Sequence, residues 1–393
     1  MSEPRSKTVM VAGNICLDIT PVFASKKELG DLFAPGKLVS VGEADIHTGG
    51  AVANTGLALK FFGADVKLAA MVGNDEFGRM VGDSLAEYGC DGGLIVTDGA
   101  STSYSIVLAV PGVDRIFLHN SGASDVFRSA DITEERLKDT AHFHFGYPTI
   151  MRNFYQDQGK ELVDLFQRVK EKGITTSLDM AVMDPDSEAG KADWREILKR
   201  VMPYVDFFLP SAEELCYMLD RDRYDSWMKE AKGGEVMRLS SIKEEIRMLA
   251  KEVLQWGAKV VLIKCGVAGM YYQTAGGEAM HALCEKLALD PDSWCGREGL
   301  EPAYRQERIV SATGAGDTSI AAFLFSMLEG RKLVPCVQLA NATGACCISG
   351  YDALSGLKPL GDLERKIDGG WEREIGGSWE RETNGGWERE YIR

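Results

Sequence analysis

The sequence predicts an α/β fold with a mainly parallel sheet and a second, smaller sheet laid over it. Three observations carry that prediction. From about residue 142, short apolar runs alternate with helical spacings, and several of the helices close at a glycine. Residues 38–48 and 102–119 instead show period-two alternation punctuated by Gly and Pro, which reads as antiparallel strands outside that rhythm. A chain of 393 residues, 45% hydrophobic and 26% charged, can bury a large core without a disulfide or metal staple.

Taken in order, residues 8–12 are an apolar run stopped at Gly13, a buried strand. Residues 51–62 have helical spacing and close at Gly63. Residues 66–72 are a strand, and 77–88 a helix closing at Gly89. Further strands are expected at 142–145, 174–178, 205–209 and 260–263. Helices are expected at 155–172, 194–201, 212–219, 242–256, 314–328 and 334–348. Residues 220–240 are charged and irregular, and 284–305 have no clear period, so both read as surface insertions.

The tail repeats itself. Gly369-Gly370-Trp371-Glu372-Arg373-Glu374 recurs at 376–382 with an inserted serine, and again at 385–390. Three short polar copies cannot build a solenoid core. Composition favours a flexible tail. A partner-binding or membrane-surface segment that uses the tryptophans, or a terminal strand docked on the body, fits the same residues.

Charge narrows the function. Lys and Arg number 44 against 59 Asp and Glu, a net −15, which argues against nucleic acid and against an anionic membrane surface as partners. The nine cysteines form no C-x-x-C pair, so a reducing cytoplasm is the expected compartment. The five histidines show no metal-binding spacing, the N-terminus lacks signal-peptide character, and the longest apolar stretches, such as 320–328, fall far short of a membrane span.

Three segments carry chemistry. The first is Ser311-Ala312-Thr313-Gly314-Ala315-Gly316-Asp317, opening a helix. Its glycines let the backbone approach a ligand, and N–H groups at a helix start favour an anion. A carboxylate beside an anion site can take the proton from a hydroxyl that attacks phosphorus. A turn whose Asp merely complements the helix dipole would look the same. The stretch is neither a Walker loop nor a dinucleotide fingerprint. The second is Gly49-Gly50-Ala51-Val52-Ala53-Asn54, where Asn54 offers a donor and an acceptor suited to a sugar hydroxyl, or simply starts a helix. The third is Gly13-Asn14-Ile15-Cys16-Leu17-Asp18 at the end of the first strand, where open α/β sheets bind ligands and where Asp18 could hold two hydroxyls or shape a turn.

Together with Val72-Gly73-Asn74-Asp75-Glu76-Phe77-Gly78, these segments in this order resemble the PfkB (ribokinase-like) carbohydrate kinase family over about residues 8–360. The resemblance implies a three-layer α/β/α fold whose small β-sheet forms a lid, drawn from about 15–48 and 101–119. It implies one kinase domain over 1–367, followed by the 368–393 tail. It implies ATP-dependent phosphorylation of a sugar or sugar-acid hydroxyl, with Asp317 as general base and Gly314, Ala315 and Gly316 as the anion hole. Asn14, Asp18, Gly49, Gly50 and Asn54 would hold the substrate, helped by Arg115 and His119 from Asp114-Arg115-x-Phe117-x-His119. On the nucleotide side the matching positions are Ser211, Lys264, Gly266, Gly269 and Asn341, with Glu214 at the magnesium site; Lys264 reads equally as a solvated charge at a strand end. Ser211 stands where the family has Asn, and Ser311 where it has an acidic residue. Asp352 and Gly356 fall where small or hydroxylated residues help bind a monovalent cation, which leaves potassium activation in doubt. A homodimer paired through its lids is compatible with the resemblance.

Two other functions remain open on the sequence. A nucleoside kinase would need an apolar slot for a base, so Phe23, Phe33, Tyr104 and Phe117 are the discriminating positions. A kinase-like binding protein would act through the Trp-rich tail.

Overall fold

The computed structural model describes residues 7–23, 35–110, 115–239 and 242–374. The chain opens with β1 (Val9–Gly13), leaves the main sheet through β2 (Cys16–Pro21) and β3 (Ala44–Gly49), and returns along α1 (Gly50–Phe61) to β4 (Val66–Gly73). There follow α2 (Glu76–Ala86), β5 (Leu94–Thr97), β6 (Tyr104–Leu108), β7 (Ile116–Asn120) and β8 (His142–Gly146). Next come α3 (Lys160–Glu171), β9 (Thr175–Asp179), α4 (Trp194–Val201), β10 (Phe207–Phe208), α5 (Ala212–Leu219), α6 (Arg221–Ala231), α7 (Ile242–Gln255), β11 (Val260–Lys264) and β12 (Met270–Thr274). The chain closes with α8 (Gly277–Leu287), β13 (Glu298–Glu301), α9 (Ala315–Leu328), α10 (Leu333–Cys347) and α11 (Leu360–Asp368), single-turn helices apart.

Among the described residues, nine strands form one sheet in the order β13-β12-β11-β10-β9-β8-β1-β4-β5. Pairing is parallel from β5 across to β11 and antiparallel where β12 and β13 are added at the far edge. Successive residues of each strand enter opposite cores: Met10 and Ala12 pack with α3, α4, α5 and α7, whereas Val9 and Val11 pack with α1, α2, α9 and α10. Burial on both faces explains why these strands read as continuous apolar runs. The four strands β3-β2-β6-β7 form the second sheet, antiparallel except for the β2–β6 pair.

Several segments differ from the sequence expectation. The helix expected at 155–172 begins at Lys160, because Asp157, Gln158 and Gly159 have left-handed backbones with φ of 49°, 54° and 71°. The described part of the 220–240 segment, residues 220–239, is not irregular. Asp220 caps α6 through the Arg223 N–H (3.1 Å), and Trp227, Val236 and Met237 are buried in the core. The 284–305 segment contains β13 and the buried Trp294, so it completes the sheet edge. Strand β5, a short run rich in β-branched residues, was not foreseen.

The first tail repeat docks on the body through an isolated antiparallel bridge between Arg373 and Tyr304. Trp371 stacks on Tyr304 with ring centroids 4.6 Å apart, and Lys366 Nζ lies 3.4 Å from its ring. The Arg305 N–H donates to the Glu372 carbonyl (2.9 Å) and the Glu374 N–H to the Ala303 carbonyl (2.7 Å). The second and third repeats lie outside the described residues, as do Phe33 and Asp114.

Asp75 fastens the main sheet to the lid. Its carboxylate caps α2 through the Gly78 N–H (2.8 Å) and accepts from the Thr102 N–H (2.8 Å) and hydroxyl (2.6 Å), just before β6. Burial alone would raise its carboxyl, but these bonds outweigh burial and hold it below the ordinary range. A depressed folded-state carboxyl contributes stability above its unfolded pKa and loses it as pH falls. Asp75→Ala is expected to lower stability by about 2 kcal/mol in urea denaturation at neutral pH. The difference from wild type should shrink below about pH 4.

Candidate active site

β1 has β8 on one side and β4 on the other, so strand order reverses there, and ligands bind such sheets beyond the carboxyl ends of the strands at that crevice. A cavity of about 930 Å³ opens at this place. Its walls come from the turn after β1, the lid, the starts of α1, α5 and α9, and the ends of β8, β9 and β11.

The lid side is polar. The Asn14 amide donates to Ser124 Oγ (3.0 Å), while its Oδ1 is buried with no partner. The Cys16 thiol donates to Asp18 Oδ1 (3.3 Å), and Ser105 Oγ lies 3.1 Å from His119 Nδ1. Burial pushes the Cys16 thiol well above its usual range, with Asp18 adding to the shift, so it stays a neutral donor. Burial also lowers the His119 imidazole, against the pull of Asp18. Gly49 is required here: a Cβ would stand 2.2 Å from Asp18 Oδ2. Arg115 Nη1 reaches from the lid to Ser311 Oγ (3.2 Å), so the lid touches the loop that opens α9.

Asp317 lies at the base of the cavity, 3% exposed. Its Oδ2 accepts from Asn54 Nδ2 (2.9 Å), and the Tyr147 hydroxyl lies 2.8 Å from both Oδ1 and Oδ2. Burial raises its carboxyl above the ordinary range, while Lys264 and the bonds from Asn54 and Tyr147 oppose the rise. Gly314 starts the helix with φ +71°, and a Cβ there would meet the Ala353 Cβ at 2.3 Å. The N–H groups of Gly316 and Asp317 fall in the first turn, where no intrahelical acceptor exists.

Beside Gly316, Lys264, ending β11, donates to Asp179 Oδ1 (2.6 Å), ending β9. Asp179 is fully buried and its Oδ2 has no partner. Burial pushes the Asp179 carboxyl up, Glu214 and Asp317 push the same way, and Lys264 opposes them. Ser211 and Glu214 form a capping box on α5: the Glu214 N–H donates to Ser211 Oγ (3.2 Å) and the Ser211 N–H to Glu214 Oε2 (2.7 Å).

The cavity thus gathers Asn14, Asp18, Gly50, Asn54, Arg115, His119, Ser211, Glu214, Lys264, Gly266, Gly314, Gly316 and Asp317 from the residues singled out by sequence. Four others are not among its lining residues. Gly49 acts one step away, by making room for Asp18. The Ala315 N–H turns back to the Ala312 carbonyl (3.3 Å). Gly269 serves backbone packing, since a Cβ would meet the Glu301 carbonyl at 2.1 Å. Asn341 donates to that same carbonyl (2.8 Å), tying α10 to β13. Asn54 is turned to Asp317, so its amide orients the carboxylate. Tyr147 and Asp179 were missed. An acidic residue closing a parallel strand was a readable signal for Asp179, and nothing local marked Tyr147.

A buried carboxylate beside free helix N–H groups can accept a proton while the N–H groups meet an anion. The family model for the pfkB family of carbohydrate kinases matches residues 9–358. The chain belongs to this family. As a pfkB-family carbohydrate kinase it is a phosphotransferase with a sugar hydroxyl as acceptor. It is 24% identical to fructokinase-1 of Oryza sativa subsp. japonica over 369 residues, 90% of this chain and 95% of the relative. It is 20% identical to the 5-dehydro-2-deoxygluconokinase of Clostridium beijerinckii over 353 residues, covering 89% of each. Among solved structures, ribokinase of Arabidopsis thaliana complexed with ribose and ATP matches with a TM-score of 0.66 at 17% identity, over 92% of this chain and 98% of that one. An E. coli structure described as a ribokinase II in complex with ATP and Mg²⁺ matches at 0.67 and 21%, over 92% and 99%. The fold is therefore the ribokinase-like α/β/α sandwich with a β lid.

Both of these solved structures are complexes with ATP, the second with Mg²⁺ as well. Among the described residues no group of three or more His, Cys, Asp or Glu side chains could hold a metal ion by itself. Mg²⁺ is commonly held by one or two carboxylates together with phosphate oxygens, a role open to Glu214. Asp352 Oδ1 is occupied by the N–H groups of Leu354 and Ser355, both at 2.7 Å. Among the described residues no helix is long and apolar enough to cross a membrane.

Proposed function

We propose that residues 1–367 form an ATP-dependent kinase that phosphorylates a hydroxyl of a sugar or sugar acid, with Asp317 as the general base. The observation that carries this reading is the buried Asp317 carboxylate beside the first-turn N–H groups of α9, facing a polar lid wall across one cavity. Asp18 and the unpartnered Asn14 Oδ1 are suited to sugar hydroxyls, and Arg115 to a carboxylate on the substrate. The hydroxyl oxygen attacks the γ-phosphorus, its proton passes to Asp317, and the bond to the ADP oxygen breaks. The N–H groups of Gly316 and Asp317, with Lys264 nearby, meet charge on the transferred phosphoryl oxygens. Glu214, together with the phosphates, would hold Mg²⁺, which would supply further charge neutralisation.

The nucleoside alternative has less support. Phe117 lines the cavity, but Tyr104 packs against Phe77 with ring centroids 5.6 Å apart, and Phe23 is not among the lining residues. Ile46 and Leu118, both exposed on the lid, support pairing of two lids.

The test is ADP release with Mg-ATP across neutral sugars, sugar acids and nucleosides, with and without potassium. A sugar or sugar acid is expected to give the highest kcat/KM. Turnover confined to nucleosides would reject the proposal.

A further inference from the structure

Tyr147 follows β8 with φ +68° and ψ +41°, a left-handed conformation that a bulky side chain rarely adopts. Such outliers persist where the surroundings over-determine them, and they cluster at functional sites. Here the Tyr147 N–H donates to the Asp179 carbonyl (3.1 Å) and its carbonyl accepts from the Ile150 N–H (3.2 Å), with Pro148 following. The strained backbone delivers the phenol to a carboxylate 170 residues away, 2.8 Å from each oxygen. With Asn54 on Oδ2, Oδ1 is left as the more open oxygen.

We propose that Tyr147 is a positioning residue for phosphoryl transfer: its phenol donates to the Asp317 carboxylate and holds Oδ1 toward the incoming sugar hydroxyl. This rests on Asp317 being the general base. In the transfer step the substrate proton passes to Asp317, the new O–P bond forms as the bond to ADP breaks, and Tyr147 keeps its own proton. Burial, Asp317 and Asp179 push the Tyr147 phenol well above its usual range, so it remains a donor at working pH. The groups facing Asp317 are Lys264 on β11, Asp179 on β9, Asn54 and Thr55 on α1, Cys16 on β2 and Cys347 on α10. Burial raises both thiols above their ordinary range. Lys264 is the cation of the set, and it stays in place when Tyr147 is changed.

The test is Tyr147→Phe in the full chain, assayed by ADP release against pH at saturating Mg-ATP with varied sugar. Loss of a donor to a carboxylate weakens its ionised form. The acid limb of kcat/KM for the sugar is expected to move up by roughly one pH unit. Above the limb the loss should stay under about tenfold, with KM for ATP unchanged. Replacement of Tyr147 by 3-fluorotyrosine, a more acidic donor of nearly the same shape, should move the limb down. That second measurement keeps the proposal testable if the Phe variant does not fold. A limb within about 0.2 unit of wild type in both variants overturns the proposal, because Tyr147 would then only fill space. A rise in kcat across the whole pH range in the Phe variant also overturns it, as the mark of a plug. If Asp317→Asn is inactive while the limb stays unmoved, only the Tyr147 assignment fails. If Asp317→Asn keeps its activity, the base reading itself has failed.

Discussion

Asp317→Asn is expected to lower kcat by about 10²–10⁴-fold, the contribution of a general base. The substitution is close to isosteric. Asn54 can still donate to the remaining carbonyl oxygen, and Tyr147 keeps one acceptor, so the site geometry should survive. Stability should move the other way. Burial raises the Asp317 carboxyl in the folded state, with Lys264, Asn54 and Tyr147 opposing. A raised folded-state pKa contributes stability below the unfolded pKa that is lost as pH rises through the folded value. Removing the charge removes that loss. The variant should match or exceed wild type in urea denaturation at pH 8, and the advantage should narrow toward pH 4. Turnover within tenfold of wild type would reject the base assignment.

Lys264→Met should be the most damaging change to the fold within the site. Lys264 is 14% exposed and its partner Asp179 is fully buried, so removing the cation leaves an uncompensated buried charge. Breaking such a pair costs about 3–5 kcal/mol. With Glu214 and Asp317 still nearby, Asp179 can relieve the penalty only by holding a proton. By the same sign argument, a carboxyl raised in the folded state loses stability as pH rises. The deficit should therefore be larger at pH 9 than at pH 6, measured by urea denaturation. Adding Asp179→Asn should recover part of it, because the orphaned charge is then gone, and a double-mutant cycle isolates the coupling. Equal deficits at both pH values would mean that the pair is not ionised in the folded protein. Activity should fall as well, since Lys264 is the cation opposing the raised Asp317 carboxyl.

The acidity of the chain bears on both results. At net −15, the proposed kinase reading requires positive potential for an anionic nucleotide to be supplied locally, on that reading from two helix N–H groups, one lysine and a metal ion. Two residues expected at the site are used elsewhere: the Ala315 N–H closes a turn, and Asn341 ties α10 to β13. Both are legible as residue types at matching positions. Neither role is legible, because a backbone N–H or an amide has many acceptors available and only packing selects one.

The sequence by itself determined the alternation of strands and helices, the separate small sheet and the three chemistry-bearing segments. These follow from local rules: periodicity sets which face is buried, and glycine before a helix opens the backbone. Edge and insertion segments escaped, because α6 and β13 owe their order to Trp227 and Trp294 finding cores built by distant residues. Only the tertiary structure decided that Asn54 serves the carboxylate, that Lys264 is paired with Asp179, and that Tyr147 caps Asp317. Each is a contact across 85 to 263 residues. Charge and hydrogen-bonding capacity belong to a residue, but the partner that uses them is chosen where strands from distant parts of the chain end together.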